Sequence, residues 1–271
     1  MKNIALRLLI IFTLLGILSC QPKTANNQQD NNPVESTDTL QNEPIDTTSQ
    51  VGQNSDSDND NTATKVYGID VSKYQGGELD HLDFKAEAIS FVIVRVTEGI
   101  TYTDTSFTRN WTDVKNAGLI RGAYHFYRSN DAPGLQVNHF LSTITNLEKS
   151  DLPPIIDFEE SSIVGNPSTE AVQKNLLAFL KEIENKSARK PIIYTDINTG
   201  NKYLTQSEFS DYPLWVANYT SSEQPDLPKI WKEKGWAFWQ KSGSYKIGNT
   251  TNDYDVFNGS LDDLKAFIQE H

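Results

Sequence analysis

The sequence predicts an α/β domain, a β/α barrel that loses helices in its second half, set behind an N-terminal leader and a polar tether. Three observations predict it. From residue 66 onward, apolar runs of strand length alternate with helical patterns, as in a parallel sheet covered by helices. Eight such runs fit between 66 and 271. Polar and acidic residues recur at the ends of the runs, where a β/α barrel opens its mouth. A doubly wound open sheet is the structural alternative. No Gly-rich loop follows the first strand, which removes the main reason to expect a nucleotide.

Residues 1–20 read as a leader. Lys2 and Arg7 precede the apolar run LLIIFTLLGIL, which is short for a membrane span and ends in ILSC. This is the pattern of a secretory signal peptide. ILSC resembles a lipobox, with Cys20 as the lipidated mature N-terminus; a plain secretory signal with a chance cysteine is the alternative. Cys20 is the only cysteine, so no intramolecular disulfide is available. A lipid on Cys20 predicts a cell-envelope protein facing away from the cytoplasm, anchored to the membrane without a transmembrane helix. Residues 21–65 are rich in Asn, Asp, Gln, Ser and Thr, and Val34, Leu40, Ile45 and Val51 are their only large aliphatics. Such a segment cannot offset its ordering entropy, so a disordered acidic linker is expected, with a reach of roughly a few tens of Å.

The domain is expected over 66–271. Strands are predicted at 66–72, 91–99, 119–127, 152–159, 191–197, 212–219, 235–242 and 252–257. Helices are predicted over 106–119, where Gly118 suits the C-terminal cap, over 133–148, over 171–186 opened by Ser-Thr-Glu at 168–170, and over 260–269. Ser260 is the expected N-cap of the last. The net charge of -12 argues against a nucleic-acid partner, since phosphates are held by an excess of Lys and Arg. His81, His125, His139 and His271 show no metal-ligand spacing, so no metal or other cofactor is expected. A monomer is expected.

Residues i and i+2 of a strand face the same way, so Asp157 and Glu159 share one face and Phe158 takes the other. Around the same mouth the predicted strand ends place Asp70, Glu98, His125, Tyr194, Asp196, Asn218, Gln240 and Asp255. Clustered carboxylates repel, and the repulsion drives their pKa values apart; one keeps its proton near neutrality while its neighbour stays ionised. Glycosidic cleavage needs that division, a proton for the leaving oxygen and negative charge beside the oxocarbenium-like centre. Tyr74, Tyr124, Phe126, Tyr194, Trp215, Tyr219, Phe238 and Trp239 are candidate platforms for sugar rings. Trp111, Trp231 and Trp236 read as packing, Asp80, Asp83, Asp262 and Asp263 as caps or solvated groups, and Asp104 as a loop holder. His125 is divided evenly between the mouth and a satisfied core position.

YGIDVSKYQGG (67–77), FVIVRVTEGITYTDTSFTRNW (91–111), AGLIRGAYHFYR (117–128), LPPIIDFEE (152–160), PIIYTD (191–196), PLWVANY (213–219), WAFWQ (236–240) and DYDVFNGSLDDLKAF (253–267) follow in order. Together they resemble the family-25 glycoside hydrolases, the Chalaropsis-type lysozymes, across 66–271. The resemblance implies a modified β/α barrel of five β/α units plus three further strands. It also implies an N-acetylmuramidase that cleaves the β-1,4 bond between N-acetylmuramic acid and N-acetylglucosamine in peptidoglycan glycan strands. By motif position Glu159 matches the proton donor, Asp157 the second acid of D-x-E, Asp70 the acid of strand one and Asp255 that of the last strand. Glu98, Tyr74, Tyr124, His125, Tyr194, Asp196, Trp215, Asn218 and Gln240 are the candidate substrate-binding residues. Arg95 stands where many members carry Lys, and Tyr74 where Trp is frequent. The intermediate has two open routes, a carboxylate nucleophile or the substrate's own N-acetyl group oriented by Asp157; the side-by-side i, i+2 placement favours the second. A chitinase-like hydrolase and a non-catalytic peptidoglycan-binding envelope tether are the competing readings.

Overall fold

The computed structural model describes residues 65–75, 79, 84 and 87–271. The leader, Cys20, the linker, and Asp80, His81 and Asp83 lie outside the described residues. In chain order the elements are β1 (Val66–Val71), β2 (Ile89–Glu98), β3 (Tyr102–Thr103), α1 (Phe107–Asn116), β4 (Ile120–Phe126), α2 (Pro133–Thr143) and β5 (Ile155–Asp157). They continue with α3 (Thr169–Ser187), β6 (Ile192–Asp196), α4 (Ile197–Tyr203), β7 (Leu214–Ala217), β8 (Phe238–Ile247), β9 (Thr250–Phe257) and α5 (Leu261–Glu270).

The strands run in the order β1-β9-β8-β7-β6-β5-β4-β2, and a β1–β2 pairing closes them into an eight-stranded barrel. β3 is a short extension that folds back on β2, with Tyr102 opposite Glu98. Neighbours from β1 through β2 and β4 to β8 are parallel. Helices follow β2, β4 and β5, as the sequence predicts, and one more follows β6 before the connections lose them.

β9 departs from expectation. It is antiparallel to both β8 and β1, whereas Asp255 is placed at the mouth above by treating its strand like the others. The cause is the connection: only Gly248 and Asn249 separate β8 from β9, and a two-residue loop joins only antiparallel strands. Gly248 has φ +55°, the conformation such a turn favours in glycine.

Alternation divides the strand side chains between two cores. Phe91, Ile93, Ile155, Ile192, Phe238 and Phe257 fill the barrel, and Leu264 and Ile268 of α5 close its floor. Val92, Val94, Val96, Ile156, Phe158 and Ile193 face outward under the helices. Gly68 is required by this filling, because a Cβ there would lie 2.3 Å from the Phe91 ring.

Caps set the helix boundaries. Ser168 accepts from Ala171 N at 3.2 Å, and Ser260 and Asp263 form a reciprocal capping box on α5. α2 stops short of the predicted 148, and the chain beyond it turns to bring Asp151 to Arg121. α4 is not predicted, since its Gly200 is a poor helix former. The tertiary fit overrides that preference: a Cβ at 200 would meet Pro228 at 2.7 Å.

At the bottom of the barrel Arg121 makes two 2.8 Å bonds to Asp151 and lies over Trp111, 4.0 Å from its ring centre. Both charged partners are buried. Breaking such a pair leaves a buried, unmatched charge, worth about 3–5 kcal/mol. Asp151→Ala is therefore expected to lower the unfolding free energy by about 3 kcal/mol or more in an equilibrium urea titration.

Candidate active site

Asp157 is the last residue of β5, and its side chain enters the barrel mouth. Glu159 follows in extended backbone, φ −132° and ψ 176°, and so keeps the same face. A tight turn at Glu160–Ser162 fixes it there, with Glu159 N donating to Ser162 Oγ at 3.1 Å. Arg128 holds that turn from outside by donating to Ser161 O at 2.5 Å. Phe158, on the opposite face, packs under the helices. The alternation argued from D-F-E is what the chain adopts.

Two cavities meet at Glu159. The first, about 190 Å³, is lined by Asp70, Arg95, Tyr124, Asp157, Gln240 and Asp253 among others. The second, about 320 Å³, contains Asp196, Asn198, Asn218 and Ala217. Glu159, Tyr194 and Tyr219 line both. Larger hollows at the barrel floor, beside Lys190 and His271, gather no comparable set of acids.

Gln240 organises the floor of the first cavity. Its Oε1 accepts from Tyr194 at 2.9 Å and Tyr219 at 2.7 Å, and its Nε2 donates to Asp70 Oδ2 at 2.6 Å. Asp255 lies one layer deeper. The β1–β9 register sets Asp255 opposite Gly68 and Asp253 opposite Asp70. Asp253 therefore occupies the mouth level expected for Asp255, and Gln75 donates to it at 3.2 Å. Asp253 is a site residue that the motifs missed. The available signal was D-Y-D itself, an i, i+2 pair like Asp157 and Glu159.

The acids shift one another. Burial raises Asp157 well above the usual carboxylate range, and the charges of Glu159 and Asp70 add to it. Burial also raises Glu159, with Asp196 adding and Ser161, Arg95 and Arg128 opposing. Asp70 is raised by burial and then by Asp253. Asp255 is raised by burial and then by Asp70. Asp255 Oδ1 accepts from Trp215 Nε1 at 2.9 Å. Its Oδ2 has no other donor, and a neutral Asp255 hydrogen-bonds to Asp70. The mouth thus holds several carboxyls and fewer charges.

The other candidates separate. Tyr124 and Tyr194 line the first cavity. Trp215 also borders it but is nearly fully buried, its ring edge-on to Tyr194 at 4.6 Å, so it forms floor and not a stacking surface. Tyr74 and Tyr219 are 72% and 63% exposed at the rim and keep the open faces a sugar needs. Phe126 lines the first cavity under Arg95. Phe238 and Trp239 are corrected: both are core, one inside the barrel and one outside it. Asp196 lines the second cavity while capping α4, accepting from Asn198 N and Thr199 N. Asn218 lines it too and accepts from Asp226 N at 3.0 Å.

His125 does not reach the mouth. Its strand neighbours Tyr124 and Phe126 point inward, so it points outward, bonded to Thr97 Oγ1 at 2.8 Å and Gln136 at 3.1 Å between the rings of Phe140 and Phe179. Burial lowers its pKa to about 3, and it stays neutral. Glu98 lines neither cavity; it is bonded to Arg95 and to Arg128, whose Nε lies at 2.7 Å. Asp104 holds a loop, accepting from Lys73 N and Ser106 N.

Residues 69–250 match the family described as Glycosyl hydrolases family 25. Lysozyme M1 of Streptomyces globisporus is 32% identical over 211 residues, 74% of this chain and 70% of the relative. The N,O-diacetylmuramidase of Arthroderma benhamiae is 32% identical over 228 residues, 78% and 89% of the two chains. YegX of Escherichia coli K12, an uncharacterized protein, is 32% identical over 213 residues, 75% and 73%. The crystal structure of a bacterial lysozyme from Streptomyces coelicolor superposes with a TM-score of 0.68 at 30% identity, covering 76% of this chain and 97% of that one. Sequence and fold agree, and the chain belongs to glycosyl hydrolase family 25.

Proposed function

We propose that the domain hydrolyses the β-1,4 bond between N-acetylmuramic acid and N-acetylglucosamine in peptidoglycan. One observation carries this reading: Glu159 stands on the divide between two adjoining cavities, where the oxygen linking two sugars would lie. A half-buried carboxyl with a raised pKa suits protonation of that leaving oxygen. Asp157, beside it, would accept the N–H of the 2-acetamido group and orient its carbonyl toward the anomeric carbon.

Substrate sets the protonation pattern. In the open mouth fully buried Asp157 competes strongly for the proton of the pair, and the two acids titrate as a unit. An amide N–H at Asp157 Oδ1, which has no protein partner, stabilises the ionised form of Asp157. A sugar covering Glu159 strips water from it and favours its neutral form. Binding thereby moves the proton to the acid that uses it.

Two outcomes test the reading. Digestion of peptidoglycan and chitin oligomers in parallel should release reducing N-acetylmuramic acid ends from the former and little from the latter. The new anomeric centre should be retained; inversion would exclude both the carboxylate and the N-acetyl routes. Asp196 offers a finer test, since its charge raises Glu159. Asp196→Asn keeps an N-capping side chain but removes the charge. Glu159 then gives up its proton at lower pH, so the alkaline limb of kcat/KM is expected to move to lower pH. For the whole chain we propose a lipid on Cys20, holding the enzyme at the cell envelope with the polar linker as its tether. Metabolic lipid labelling of wild type and Cys20→Ser checks it.

A further inference from the structure

Arg95 is the one cation lining either cavity among the described residues. Its side chain is 9% exposed, against the rings of Tyr102 and Phe126 with centres 5.3 and 5.2 Å away. One end of the guanidinium bonds to Glu98, but Nε has no hydrogen-bond partner. Glu98 also serves Arg128, so one carboxylate answers two guanidinium groups and the cluster keeps a positive charge. A buried, unmatched donor costs stability, and a ligand acceptor would repay it. Asp157 lines the same cavity, and its Oδ1 is equally unmatched.

These two orphans are not bonded to each other, and they differ in what they want. Asp157 takes a donor, which the acetamido N–H at C2 supplies. Arg95 takes an acceptor and stands on β2, separated from β5 by β4 alone. The ring substituent next to C2 is that at C3. In a muramoyl sugar C3 carries a lactyl ether ending in a carbonyl; in N-acetylglucosamine it carries a hydroxyl. Resting on the muramidase reading, we propose that Arg95 is a specificity-determining residue that hydrogen-bonds the lactyl carbonyl oxygen of the muramoyl unit, whether carboxylate or peptide amide.

Calorimetry with three disaccharides tests it: N-acetylglucosaminyl-N-acetylmuramic acid, the same compound as its lactyl methylamide, and diacetylchitobiose. The first two carry the lactyl carbonyl with and without charge, and neither contains the bond to be cleaved. Wild type is expected to bind both muramoyl compounds about 10- to 100-fold more tightly than chitobiose. Arg95→Met should abolish that ratio while leaving chitobiose affinity within about threefold, which also reports an intact site. Arg95→Lys should restore part of it. An unchanged ratio in Arg95→Met, equal weakening of all three ligands, or no preference in wild type each overturns the proposal. Equal binding of all three with muramidase activity retained sinks the role of Arg95 alone. Failure to bind any of them, with no glycan cleavage, sinks the muramidase reading as well.

Discussion

Glu159→Gln is expected to lower kcat on purified peptidoglycan by about a thousandfold, with the unfolding free energy within about 0.5 kcal/mol of wild type. The amide fills the same space on the divide between the cavities but has no proton to give, and a positioned general acid contributes about 10²–10⁴ in rate. The turn keeps its bond from the backbone N–H of Glu159 to Ser162 Oγ, and the amide oxygen of Gln can still accept where the carboxylate does. An aryl glycoside with an acidic leaving group needs less protonation. On such a substrate the loss should shrink by at least about tenfold, which separates failed proton donation from a distorted site.

Asp157→Asn is expected to lower kcat by about 10²–10³ while making the protein more stable at neutral pH. The first effect follows if Asp157 anchors the acetamido group, because an amide stabilises the positive charge that develops on that group less well than a carboxylate does. The second follows from linkage. Burial, then Glu159 and Asp70, raise the folded-state pKa of Asp157 above its unfolded value. Between those two values the folded protein binds a proton that the unfolded chain has lost, so stability falls as pH rises through that window. The neutral amide has no such dependence. Thermal unfolding should show the variant a few degrees above wild type at pH 7, with the difference closing as pH falls through the window. A variant less stable at pH 7 would mean that the Asp157 charge is structurally matched, contrary to its orphaned Oδ1.

The sequence carried the barrel because its strands are short β-branched runs with strict alternation. FVIVRV can only put Phe91, Ile93 and Arg95 on one face and Val92, Val94 and Val96 on the other. The same rule placed Asp157 and Glu159 together. It misled where strand direction mattered. Asp253 and Asp255 change levels because β9 runs backward, although the Gly248–Asn249 turn announces the reversal. The pattern leaves His125 open, because a polar residue near a strand end fits either face; one residue of parity, set by Tyr124 and Phe126 turning inward, sends it to the helices. Trp215 and Trp239 show that aromatic identity alone does not make a sugar platform. Exposure, legible only in the fold, leaves Tyr74 and Tyr219. The Glu98–Arg128 bond joins residues thirty apart in sequence, and no local pattern foretells it.

The most direct test is mass spectrometry of muropeptides released from purified peptidoglycan by residues 66–271, with Glu159→Gln in parallel. The wild-type domain should yield fragments with N-acetylmuramic acid at the reducing end, and the variant should yield almost none. Release by Glu159→Gln at the wild-type rate, or N-acetylglucosamine at the new reducing ends, would contradict the assignment of Glu159 as the acid of a muramidase.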